Sequence, residues 1–230
     1  MLDKAIEALK TYDWGVDPAV LKPIDEAIVT THGNAAGRND LETRLIAALQ
    51  SECPQAAKDA VCRSLRIIGT AASVPALSVL LADEKLSHMA RYALQNIPGP
   101  EAGKALIEAL TKVVGKHKAG IAASLGIRGE VAATASLQNT LADSDTATAR
   151  AAAYALGGIG SPDALKALTA ATARPETKDA IADSLLECAE NLFAAGKKAE
   201  AKAAYAKCLS SNPSKAVKIA ADHGTAACGG

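Results

Sequence analysis

The four histidines, His32, His88, His117 and His223, and the five cysteines, Cys53, Cys62, Cys188, Cys208 and Cys228, are the side chains here best suited to hold a metal or move a proton. Their spacing favours neither. The histidines are followed by Gly, Met, Lys and Gly, so none supplies the paired ligands that a metal site on helices needs. The cysteines contain no CxxC pair, and structural zinc is not expected. Their odd number and low density exclude a disulfide-built scaffold, and most are expected to be buried thiols acting as small apolar residues. Cys188 and Cys208 are equidistant from residue 198, the expected turn of a helical hairpin, and could face each other across it as a disulfide or as two thiols. No nucleophile stands with a base and an orienting group at a recognisable spacing. Neither catalytic residues nor a bound cofactor are expected.

Two clusters are candidates for recognition. Tyr12, Asp13 and Trp14 form the richest aromatic spot in a chain that is only 3% aromatic. Tryptophan and tyrosine are favoured at interfaces because they join large apolar area to a polar tip. The structural alternative, the stronger expectation, is that Trp14 plugs the open end of the first helix layer. The second cluster is Ser87, His88, Arg91 and Tyr92. Arg91 and Arg150 occupy matching places in "MARYAL" and "ARAAAYAL", with Asp83 and Asp143 seven or eight residues earlier. The stronger reading of these is structural, as polar contacts between neighbouring repeats. The possible partner-binding residues are Tyr12, Trp14, His88, Arg91 and Tyr92.

The elements that must position these residues repeat. "SLRIIGTAASVPAL", "ALQNIPGPEAGKAL", "SLGIRGEVAATASL" and "ALGGIGSPDALKAL" carry anchor leucines at Leu65, Leu94, Leu125 and Leu156, with a second leucine twelve residues on each time. A period near 30 that cannot bury its apolar face alone must stack, which predicts an α-solenoid. Hydrophobic residues make up 49% of the chain, and 53 of the 230 residues are alanine, so the helices must pack closely through small side chains. No alternating β-branched run suggests a strand. Lys and Arg (25) balance Asp and Glu (25), without the basic stripe that gripping nucleic acid requires. No apolar run approaches the roughly 18 residues of a membrane span.

Local signals divide the chain further. Residues 2 to 11 read as a helix, broken by "TYDWGVDP", with Asp17 as N-cap and Pro18 opening a helix to about Thr31. A loop at 32 to 37 precedes a helix from about 40 to 51, and Pro54 opens the next. Gly69, Gly129 and Gly160 are expected at left-handed helix ends. Ser161 is expected to cap the helix that Pro162 begins. The expected organisation is an irregular helical cap over 1–54, four repeats over 55–176, a longer helical hairpin over 177–214, and a partial helix and tail over 215–230. The tail "TAACGG" lacks a polar cap, which suggests either a piece of a longer array or a weakly ordered tail.

The stretch "TARAAAYALGGIGSPDALKAL" resembles the short bacterial HEAT-like repeat, the class also seen in phycobilin lyase subunits, over residues 55 to 176. The placement of Leu186, Ala189, Leu192, Phe193, Gly196, Ala199, Ala203, Ala204 and Tyr205 resembles a tetratricopeptide hairpin. "YDWG", "LETRL" and "LSHMARYALQNIPGPEA" are similar to HEAT-repeat proteins of planctomycete and verrucomicrobial genomes, which implies an exported protein whose signal would precede Met1. The resemblance implies an all-α, right-handed α-solenoid of HEAT-like hairpins. It also implies a non-catalytic scaffold or adaptor that binds a protein or peptide partner, or alternatively an accessory subunit or lyase-like enzyme. The His-Glu pairs of the deoxyhypusine hydroxylases, a di-iron HEAT family, are absent. The usual binding surface of such a fold would be the second-helix face, around 75–81, 104–112, 134–141 and 165–171.

Overall fold

A computed structural model describes residues 1–229, and every regular element among them is helical. The fold is all-α and built from HEAT-like helical hairpins. It divides into two compact units, Met1–Leu106 and Ile107–Gly230.

In the first unit, α1 (Leu2–Ala8) ends earlier than the sequence suggests. The side chain of Asp17 then accepts the Ala19 N–H at 2.9 Å, and Pro18 opens a 3-10 turn. Only at Lys22 does α2 (Lys22–Thr30) begin. The interruption follows from Pro23, which has no N–H to give the carbonyl four residues back. Helix α3 (Ala35–Gln50) starts five residues before the expected position, because Asn34 accepts the Gly37 N–H at 3.1 Å and caps it. Helix α4 (Gln55–Ile68) packs on α2, α3 and α6 (Ser87–Leu94), while α5 (Val74–Val79) packs on α3 and α6. Helix α7 (Pro100–Lys112) contains the division between the units.

The 3-10 turn Ala71–Ser73 that leads into α5 is anchored from a distance. Glu42, on α3 and 3% exposed, accepts the Thr70 N–H at 2.7 Å, the Thr70 hydroxyl at 3.0 Å and the Ser73 hydroxyl at 2.6 Å. A carboxylate thus satisfies one backbone N–H and two hydroxyls of a turn 28 to 31 residues along the chain, an arrangement whose loss costs on the order of 1–3 kcal/mol per stranded donor.

In the second unit, α8 (Gly115–Ile127), α10 (Thr146–Ile159) and α12 (Lys178–Ala194) form one layer. Helices α9 (Thr134–Thr140), α11 (Pro162–Ala170) and α13 (Lys198–Ser210) form the other, and α14 (Lys215–Ala227) packs on α12 and α13. The expected Ser161 cap is present, accepting the Ala164 N–H at 3.1 Å. Gly129 and Gly160 are left-handed, with φ of 63° and 57°. Gly69 is not: its φ is −61° and its backbone extended. It is glycine for space, since an added Cβ would strike the Leu65 carbonyl oxygen and sit 3.0 Å from Ile97 Cδ1.

Cys188 and Cys208 are free and buried, so the bridge across the hairpin is not formed. The Cys208 thiol lies 3.4 Å from the Ala182 carbonyl, which makes it level with residue 182. The turn, marked by Gly196 at φ 75°, is therefore centred nearer 195 than 198. The six-residue offset amounts to about 9 Å of helix.

The first layer of this unit is held at very short range. An added Cβ at Gly126 would lie 2.5 Å from Ala155 Cα, and one at Gly157 would lie 2.9 Å from Ser184 O. Gly126→Ala is expected to destabilise the protein by about 1–3 kcal/mol through overpacking. At Gly158 the nearest atom would be 3.6 Å from the added Cβ, so Gly158→Ala should be neutral or stabilising by about 0.5 kcal/mol. Thermal melts of the two variants check this contrast.

Candidate functional site

The turn after α1 decides where the tryptophan goes. Asp13 Oδ1 accepts the Trp14 N–H at 2.8 Å, and the Asp13 carbonyl accepts the Val16 N–H at 3.1 Å. Gly15, third in that turn, has a φ of 93°, a conformation side chains rarely tolerate. Trp14 is consequently turned outward and is 67% exposed. The expectation that it plugs the end of the first helix layer is therefore wrong: the turn spends its hydrogen bonds on holding the ring out. The buried residues around this turn are aliphatic instead, among them Leu9, Leu21 and Ile24.

Trp14 and Tyr12 line one groove of about 300 Å³. Its floor is Leu9, Leu21, Ile24, Leu45 and Val61, all buried. Its far wall is α4, where Asp59, Arg63 and Ile67 follow one another at intervals of four along one helix face. Ile67 is 62% exposed. Arg63 Nε and Nη2 donate to Asp59 Oδ2 at 3.1 and 2.8 Å. Pro18 and Asp25 complete the rim. Neither the α4 contribution nor the placement of Trp14 beside it was read from the sequence, because both depend on how α1, α2 and α4 pack.

The structure does not bring His88, Arg91 and Tyr92 to this groove. His88 is exposed on α6, while Ser87 is buried and donates to the Leu81 carbonyl at 2.7 Å. Tyr92 carries the Arg66 guanidinium over its ring at 4.3 Å, a contact between α6 and α4. Arg91 is half-buried, and desolvation lowers its pKa.

The matching aspartates do structural work. Asp83 accepts the Lys85 and Leu86 N–H groups, each at 2.8 Å. Asp143 accepts Lys118 Nζ at 2.6 Å and the Asp145 N–H at 2.9 Å. The Lys118 bond, then that backbone bond, hold the Asp143 carboxyl below its usual range. Arg174 donates to the Asp143 carbonyl at 2.7 Å, so the contact ties α8 to the loops that precede α10 and α12. Arg150, bonded to Tyr154 and facing Asp179 and Asp183, is held more firmly protonated.

Three of the buried thiols are chemically quiet. Burial raises the Cys62 pKa to about 12 and those of Cys188 and Cys208 to about 11. Among the described residues no group of three or more His, Cys, Asp or Glu is placed to hold a metal ion. No helix of the described residues is long and apolar enough to cross a membrane.

This arrangement of stacked hairpins with a lateral groove is that of a repeat protein. The family model for HEAT repeats matches residues 103–186. The chain is also similar to an engineered protein of known crystal structure, at 19% identity and a TM-score of 0.36, with 99% of this chain and 96% of that one covered. That likeness is too loose to carry an argument. No curated protein matches the chain.

The single tryptophan reports directly on the groove. Its emission should be that of a water-exposed indole, and iodide should quench it in the native protein nearly as well as in urea. A blue-shifted, protected emission would contradict the exposed placement.

Proposed function

We propose that the chain is a non-catalytic scaffold that binds a protein or peptide partner, and that the groove beside Trp14 is a docking surface. One observation carries this reading: the only tryptophan is held two-thirds exposed against an aliphatic floor by a turn built around Gly15. Exposed aromatics over apolar pockets are where binding energy concentrates. HEAT repeats generally serve as protein-interaction scaffolds, which supports the same reading. Balanced charge, 25 basic residues against 25 acidic, favours a polypeptide partner over nucleic acid.

Tyr12 and Trp14 are assigned to the partner. Tyr92 is assigned to packing α6 against α4, Arg91 to the interior of its repeat, and His88 to a secondary contact at most. A lyase-like reaction would need a reactive nucleophile, and the raised thiol pKa values argue for the scaffold instead. Within this proposal the protein belongs with short bacterial HEAT-like scaffolds, and residues 177–214 act as a tetratricopeptide-like hairpin.

The test is selection of displayed random peptides on the immobilised full chain, run in parallel with Trp14→Ala. The wild-type chain should enrich a peptide family that the variant does not retain. No enrichment, or equal enrichment by a variant of unchanged helicity, would overturn the assignment.

A further inference from the structure

The charges around the Trp14 groove discriminate among polypeptides, an inference that rests on the docking reading above. The floor is uncharged and suits one or two large apolar side chains, since its volume lies at the small end of ligand pockets. On the α4 wall, Asp59 and Arg63 form an ion pair, with Asp59 15% exposed and Arg63 65% exposed, so their charges cancel locally. Asp25 has no ion-pair partner among the described residues, and its exposed carboxylate lines the rim. The segment from 11 to 26 adds Asp13, Asp17 and Glu26 against Lys22 alone. The carboxylates of Asp13 and Asp17 accept the N–H groups of Trp14 and Ala19. Those bonds fix the two charges beside the groove without neutralising them.

The geometry points to a specific class of occupant: a peptide segment that inserts a large apolar side chain beside Trp14 and carries lysine or arginine next to it, facing Asp25. An acidic segment would meet like charge on the rim. Apart from the polar tips of Tyr12 and Trp14, the side-chain donors lining the groove are Arg63, already committed to Asp59, and the Ser64 hydroxyl, which donates to the Ala60 carbonyl at 3.3 Å; none of them distinguishes a basic from an acidic segment as the rim carboxylate does. Selection must therefore come from the rim.

Three synthetic peptides of equal length test this, sharing one Leu-Phe core flanked by lysines, by serines or by glutamates. Each is titrated into the full chain while Trp14 emission is followed. The lysine-flanked peptide should blue-shift the emission and bind about fivefold more tightly than the serine-flanked one, a gap sized for a few exposed charge pairs. Raising salt from about 0.05 to about 0.5 M should close most of that gap. Asp25→Asn should cut the lysine preference about twofold and leave the serine-flanked peptide unaffected. Arg63→Gln, which releases Asp59, should widen it. Equal binding of all three peptides, or preference for the glutamate-flanked one, would overturn the inference and leave the docking reading standing. No spectral response and no heat of binding from any peptide would overturn both.

Discussion

The second unit rests on the close approach of its first-layer helices. At Gly126 against Ala155, and at Gly157 against Ser184, the helices are so near that one extra carbon would strike backbone or Cβ atoms. Such spacing requires glycine, alanine and serine at the crossings, and that requirement accounts for a chain with 53 alanines and six aromatic residues. Large side chains appear where helices separate. The Tyr205 ring, 1% exposed, fills the place a Cβ at Gly224 would need and so seats α14. The leucine pairs of each repeat, such as Leu125 with Leu137 and Leu156 with Leu168, fill the space between the layers and are fully or almost fully buried.

The first unit is built differently, and its difference creates the groove. It lacks the glycine-to-alanine crossings and packs through Leu9, Leu21, Ile24, Leu41, Leu45 and Leu65. Aliphatic side chains hold helices further apart, and the break between α1 and α2 leaves that spacing open to solvent beside α4. Asp13 shapes the break through its carboxylate, which accepts the Trp14 N–H, and Gly15 and Pro18 shape it through backbone geometry. The exposed Trp14 is a consequence of that local chemistry. A ring so placed loses apolar burial worth roughly 2 kcal/mol or more, which binding of a partner can return.

The repeat was legible because leucines at Leu65, Leu94, Leu125 and Leu156 must be buried at a constant register, and periodicity survives any detail of the loops. Caps formed by adjacent residues were legible too: Asp17, Ser161 and the glycine at Gly129 each act within a few residues. Signals that depend on tertiary placement were not. Gly69 has the same sequence context as Gly129 yet serves close passage of Ile97, and only the φ angle separates the two roles. Glu42 anchors a turn 28 residues away and carries no local pattern that says so. The groove was half legible. Tyr12 and Trp14 stood out by type, whereas Asp59, Arg63 and Ile67 did not, and their meeting depends on how α1, α2 and α4 pack.

The central claim is that partner binding occurs at the N-terminal groove and not along the second-helix face at α9 and α11, where Gln138, Asn139 and Leu141 line a separate depression. Amide chemical-shift mapping of the labelled full chain with the lysine-flanked Leu-Phe peptide tests it most directly. The account predicts shifts confined to residues 12–25 and 59–67. Shifts concentrated at residues 138–172, with those of Trp14 and Ile67 unmoved, would contradict it.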